Sequence, residues 1–225
     1  MSSNSLINIS LHDVSRETLA LADTLMSVHD PALSAYVDRL LWWNRKVNLV
    51  SRDMSRDDVL LHVKHSLMVV SSIRSSTIDT WIDTGTGGGL PGIPLAIVLP
   101  DKHFILNDVV EKKGIALKDM VVALGLKNTS LQICDVATVV FDKPIGVVTK
   151  HAFKIGDIMS RLDKKPWQEL LMLKGSDYQS ELSGLDTSLI RIEAVSLEAA
   201  KPTPFFDGKY LIRICPTQSI AAPED

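Results

Sequence analysis

Two cysteines in 225 residues, Cys134 and Cys215, stand far apart and without metal-ligand spacing. They support neither a disulfide framework nor a zinc site, and both are expected to be plain core residues. Long apolar runs are missing too. The longest, Leu95 to Leu99, is far short of the roughly 20 residues a membrane-spanning helix needs. The opening MSSNSLINIS lacks the basic-then-apolar order of a secretory signal, so the expected compartment is the cytoplasm, with no membrane partner. Positive charge is not in excess: the formal net charge of −3 argues against coating nucleic acid by bulk electrostatics, though a local basic face is compatible with it. No internal repeat or low-complexity tract is found.

What is present is 45% hydrophobic residues in a length suited to one generous domain, or to a core domain with an extension. From about Ser15 to Ser75 apolar residues recur at threes and fours, as in Leu19, Leu21, Leu25 and then Tyr36, Leu40, Leu41, Trp43, which predicts helices. Asp30 is expected to cap the second helix with Pro31 in its first turn, and a third helix is expected over about 56–73. After it the period changes. TIDTWID, HFILND, TSLQIC, IGVVTK and WQELLMLKG are short runs bounded by turn residues with helical stretches between them, which implies a largely parallel sheet. SLIRIEAVSL and GKYLIRIC, with no helix between them, predict an antiparallel close to the sheet. The tail from Thr217 is expected to fray. The expected division is a helical lobe over 1–76 and an α/β domain over 77–225.

The stretch WIDTGTGGGLPGIPLAIVLP, residues 81–100, holds five of the twelve glycines. It falls at the first strand-to-helix turn, outside the carboxyl end of a strand, where open α/β sheets bind ligands. Such a cluster implies either positive φ or a ligand lying on the main chain. A dinucleotide fingerprint is rejected, because the sixth place counted from Gly85 is Leu90. A phosphate loop is rejected because no Gly-Lys-Ser/Thr follows. What remains is Asp83 two places before a G-x-G-x-G pattern, which resembles motif I of class I S-adenosylmethionine-dependent methyltransferases. That cofactor carries no phosphate and needs a backbone without Cβ atoms in its way. Asp83 would orient the turn or meet its ammonium group. Asp108, ending HFILND about 20 residues on, is placed to accept from ribose hydroxyls, with helix capping the competing explanation.

The continuation GLPGIPLAIV together with YVDRLLWWNRKVNLVS closely resembles the bacterial guanine-N7 methyltransferase family of small-subunit (16S) ribosomal RNA, the glucose-inhibited division protein B family. The resemblance runs from about Tyr36 to Cys215. It implies a Rossmann-like, mostly parallel seven-stranded sheet, S-adenosylmethionine as cofactor, and 16S rRNA or the small ribosomal subunit as partner. It also implies cofactor contacts at Asp83, Gly85, Thr86, Gly87, Gly89, Leu90, Asp108, Val136, Ala137 and His151, and no metal. HAFK at His151 to Lys154 stands where the family reads Arg-Ala-Phe-Ala, and LKG at Leu173 to Gly175 matches a segment near the substrate mouth. The chain departs from the family at His151, at Asp135 and Ala137 beside the adenine segment, and at Met68, where the family has Asp.

The implied reaction is methyl transfer to N7 of a guanosine. N7 presents an in-plane lone pair, so no general base is required, and none stands out. Lys150, His151 and Lys174 are the candidates for positioning the substrate. The local basic face is expected from Arg45, Lys46, Arg52, Lys64, His65, Lys112, Lys113, Lys150, Lys154 and Lys174, with about half of them touching phosphate. Trp42 and Trp43 are expected to pack between the lobes rather than to stack on a base. The protein is expected to be a monomer. Three other readings stay open at this stage. They are a methyltransferase of the same fold with a non-RNA substrate, a cofactor-binding ribosome-assembly protein without catalysis, and a nicotinamide-dependent oxidoreductase, which Leu90 disfavours.

Overall fold

The computed structural model describes residues 9–183, 185–202 and 204–217. The strands in chain order are β1 (Ile9–Asp13), β2 (Thr80–Thr84), β3 (His103–Asp108), β4 (Thr129–Ile133), β5 (Ile145–Lys150), β6 (Trp167–Lys174), β7 (Ile190–Ser196) and β8 (Tyr210–Pro216). They form one sheet ordered β1-β7-β8-β6-β5-β2-β3-β4. All pairings are parallel except those of β8, which runs antiparallel to β6 and β7.

The seven expected strands are β2 to β8. An eighth, β1, adds to the edge by pairing Ile9 with Ile192 and Asp13 with Ser196. Its sequence ISLHD leaves four of five residues exposed. Ile9 and Leu11 alternate with Ser10 and His12, a short strand signal that the seven-strand expectation leaves out; main-chain hydrogen bonds hold the segment on the edge. The tail residues expected to fray lie outside the described residues beyond Thr217.

Four helices precede the central strands. In α1 (Arg16–Val28) the Ser15 hydroxyl accepts from the Thr18 amide at 3.1 Å. In α2 (Asp30–Asn44) Asp30 is the first helical residue rather than the cap, and it accepts from the Ser34 hydroxyl at 3.2 Å. The expected third helix divides into α3 (Arg56–Leu67) and α4 (Val70–Ser75). A capping box fixes the start of α3: Ser55 Oγ accepts from the Asp58 amide at 3.1 Å, and Asp58 accepts from the Ser55 amide at 3.0 Å. Between strands run α5 (Gly92–Val98), α6 (Glu111–Ala123), α7 (Ile155–Arg161) and α8 (Tyr178–Glu181).

The strand period of two sends Trp81 into one core and its neighbour Ile82 into the other. The first core joins Leu25, Tyr36, Leu40 and Val63 of the N-terminal helices to Ile93, Phe104 and Leu117, while the second gathers Val147, Leu170 and Ile212 under Ile155 and Ile158. Polar ties reinforce the first. Arg39 grips Asp119 with two bonds of 2.6 and 2.7 Å, Trp43 Nε1 donates to the same carboxylate at 2.7 Å, and the buried Tyr36 hydroxyl donates to Gly88 O at 2.9 Å. The helices before β2 therefore brace the glycine turn from outside the sheet.

Candidate cofactor and substrate site

From β2 the strand order runs one way through β3 and β4 and the other way through β5, so the carboxyl ends of β2 and β5 flank a switch point. The glycine turn emerges there. Gly85, Gly87 and Gly89 have φ of +70°, +57° and +95°, the left-handed region that favours glycine. Close approach matters as well: a Cβ on Gly85 would stand 2.5 Å from Ala152 Cβ, and one on Gly92 would stand 2.4 Å from Leu106 Cδ2. Asp83 is fully buried behind the turn. Its Oδ2 accepts from Thr86 Oγ1 at 2.5 Å and from the Gly92 amide at 2.7 Å, and burial raises its carboxyl to about 7. Of the two roles expected for Asp83, this geometry serves the orienting of the turn.

A cavity of about 470 Å³ opens over the carboxyl ends of β2 to β5. Gly85, Asp108, Val136, Lys150 and His151 line it, as does Asp135 beside the expected adenine segment, and so do Asn107, Val109, Val110, Lys113, Phe153 and Arg161, which sequence reasoning did not place there. Asp108 Oδ2 accepts from the Gly87 amide at 3.0 Å and from Lys113 Nζ at 3.2 Å, and its Oδ1 accepts from the Val110 amide at 3.0 Å. Asn107 staples three strand ends by accepting from Thr84 Oγ1 and donating to Gln132 O and Cys134 O, each at 2.9 Å. Val109 and Val110 remain 65% and 40% exposed on the rim. Two branched apolar residues directly after a strand-ending carboxylate were the available signal for them. Arg161, paired with Asp135 across 26 positions, had no local signal.

A smaller cavity of about 190 Å³ adjoins it and shares Gly85, Lys150 and His151. Leu49, Val50, Ser51, Met54, His62, Thr86, Gly87, Gly88 and Leu90 complete its wall. Lys150 Nζ donates to His62 O at 2.9 Å, and burial lowers its ammonium to about 7 against the pull of Asp83. Desolvation and then Lys150 push the imidazole of His62 down to about 3 and that of His151 to about 4. His151 has φ +52°, unusual for a residue with a side chain.

Three expected contacts lie off both cavities: Asp83 behind the turn, Gly89 packed against Ile93, and Ala137, exposed and donating its amide to Asp135 at 2.9 Å. Lys174, expected at the substrate mouth, is buried instead. It donates to Phe153 O at 3.0 Å and pairs with Glu181 at 2.6 Å, while the other Glu181 oxygen accepts from the Ile155 amide at 2.8 Å. Its charge holds the His151 to Ile155 wall in place. His65, expected on the basic face, is fully buried, with neither ring nitrogen hydrogen-bonded among the described residues.

The remaining basic residues divide. Arg45, Lys46, Arg52, Lys112 and Lys154 are exposed. Lys64 is tied down by Lys201 O at 2.8 Å and Asp23 at 2.5 Å, and Lys113 by Asp108. Trp43 packs against α6 as expected, whereas Trp42 is half exposed, with Lys46 Nζ 3.6 Å from its ring centroid. Among the described residues no cluster suited to a metal occurs, and no helix is long and apolar enough to cross a membrane.

Comparison with known proteins agrees with this geometry. The family model described as GidB, rRNA small subunit methyltransferase G, matches residues 29–202. The chain is 33% identical over 224 residues to ribosomal RNA small subunit methyltransferase G of Chlorobium luteolum, covering 92% of this chain and 93% of that protein. It is also 33% identical over 190 residues to the protein of that name from Yersinia pseudotuberculosis, covering 83% and 89%. The fold is similar to that of the O-methyltransferase TomG from Streptomyces achromogenes, solved with its S-adenosylmethionine cofactor, with TM-score 0.50 and 13% identity over 81% of this chain and 90% of that one. With a glycine turn at the switch point, a cavity on the strand ends and a family match over most of its length, the chain belongs to the GidB family of rRNA small subunit methyltransferases.

Proposed function

We propose that the protein transfers a methyl group from S-adenosylmethionine to N7 of a guanosine in 16S rRNA, acting in the cytoplasm as a monomer. The observation that carries this is the pair of adjoining cavities meeting at Gly85, Lys150 and His151, one for the methyl donor and one for the base. The larger has the size usual for a small-molecule site, roughly 300–1,000 Å³. Its residues fit the cofactor: Asp108 Oδ1 can accept from a ribose hydroxyl, Val109, Val110 and Val136 offer apolar surface to an adenine, and Gly85 leaves the main chain bare. When bound, the cofactor supplies an electrophilic methyl group on a sulfonium.

The protein's part is positioning. N7 carries a lone pair in the plane of the base, so no side chain has to take a proton before attack. His151 and His62, held well below their ordinary pKa, stay neutral at pH 7 and add no positive charge against the sulfonium. Lys150 has one proton committed to His62 O and others to offer guanine O6. Lys174 acts through the wall it holds and does not touch the substrate. Arg45, Lys46, Arg52, Lys112 and Lys154 supply the exposed part of the basic face. Incubating methyl-labelled cofactor with under-methylated small subunits, intact and as naked RNA, tests the reading. Label in RNA supports it, and label confined to protein or metabolites contradicts it.

A further inference from the structure

A groove of about 550 Å³ lies on the N-terminal helices, lined by Asp38, Leu41, Trp42, Asn44, Arg45 and Arg52 and sharing none of these residues with the two cavities. Its charge is positive once internal pairs are removed. Asp38 accepts from Arg56 at 3.0 Å, while Arg45 and Arg52 make no ion pair among the described residues, and Asp53, next along the chain, does not line the groove. Trp42 adds order to this rim. Lys46 Nζ stands 3.6 Å and the Arg39 guanidinium 4.9 Å from its ring centroid, so the indole fixes cations beside the groove.

The groove is joined to the site by one short loop. Asn44, on the groove, accepts from the Leu49 and Val50 amides at 2.8 and 3.0 Å and donates to Ser51 O at 3.2 Å. Leu49, Val50, Ser51 and Met54 line the base cavity, so residues 45–54 present Arg45 and Arg52 to the groove and their apolar members to the site. Leu49 also packs on the glycine turn, since a Cβ on Gly88 would meet its Cβ at 3.2 Å.

We infer that this groove is a second RNA subsite, which grips the phosphate backbone beside the target nucleotide through Arg45, Arg52 and the Trp42-pinned Lys46. The Asn44-braced loop sets its distance from the base cavity. The inference rests on the RNA methyl-transfer reading for its partner, and the phosphate chemistry of the occupant follows from planar guanidinium groups without carboxylate partners.

The test is filter binding of the whole protein to under-methylated 16S rRNA over a range of salt, with calorimetry of S-adenosylmethionine on the same samples. The double variant Arg45→Ala/Arg52→Ala is expected to bind RNA more weakly, with a salt slope shallower by about 2, while cofactor affinity is unchanged. Arg45→Lys/Arg52→Lys should keep the slope, and Trp42→Phe should bind better than Trp42→Leu. An unchanged slope in the double alanine variant overturns the inference, as does weaker binding with no change of slope, which would indicate an uncharged or protein contact. Wild-type protein that binds RNA with the expected slope but labels no RNA would sink the methyl-transfer reading and leave the groove standing.

Discussion

Asp83 Oδ2 accepts the Gly92 amide proton at 2.7 Å, and a Cβ on Gly92 would stand 2.7 Å from that same oxygen. The carboxylate that closes the turn thereby excludes any side chain from the first residue of α5. Gly92→Ala is expected to cost about 1–3 kcal/mol of stability by overpacking. A shift of the urea midpoint measures it, and a midpoint equal to that of the wild type would refute it.

Gly87 is the contrasting case. Its φ is +57°, but the nearest atom to an added Cβ is Leu49 O at 3.6 Å, and it lines the base cavity while donating to Asp108. Gly87→Ala should cost roughly 1 kcal/mol of stability. A bulkier residue should displace the Gly87 amide that holds Asp108 on the cofactor cavity, and so abolish cofactor binding in calorimetry while leaving a cooperative unfolding transition. Unaltered binding would show that the turn is not the cofactor's bed.

The seven strands and the position of the glycine turn were legible because β-branched runs bounded by turn residues survive in the sequence. The strand β1 was passed over, because the alternation within it is only Ile9 and Leu11, and Leu11 is exposed. Gly85 and Asp108 could be placed on the cavity because strand carboxyl ends face it, and Val136 through the family resemblance. Lys174 could not be judged from sequence, since its partner Glu181 approaches through α8, which no local pattern links to β6. The same holds for His62 and Arg161, which reach the site from helices packed beside the strand ends.

Partly desolvated imidazoles beside Lys150 make the fold sensitive to acid. Desolvation and Lys150 lower His62 from 6.5 to about 3 and His151 from 6.5 to about 4. Between about pH 6.5 and 4 the unfolded chain therefore binds protons that the native chain does not, and stability falls as pH falls. Asp83, raised from 3.8 to about 7, works in the opposite direction over an overlapping range. Melting temperatures from pH 7 to 4.5 should fall less steeply for His62→Gln than for the wild type. Parallel curves would show that His62 does not contribute to the acid sensitivity.

Lys174 and Glu181 form a buried pair that anchors Phe153 O and the Ile155 amide. Lys174→Met leaves Glu181 charged and unpaired and is expected to cost about 3–5 kcal/mol, with Lys174→Met/Glu181→Leu recovering a large part. Denaturant titration of the two variants checks this. A double variant no more stable than the single would contradict it.

The most direct measurement follows methyl-labelled S-adenosylmethionine into under-methylated small ribosomal subunits, digests the RNA to nucleosides and identifies the labelled one. The expected result is label in 16S rRNA as N7-methylguanosine, lost when Gly87 carries a bulky side chain. Label on another atom or another molecule, or equal labelling by that Gly87 variant, would contradict it.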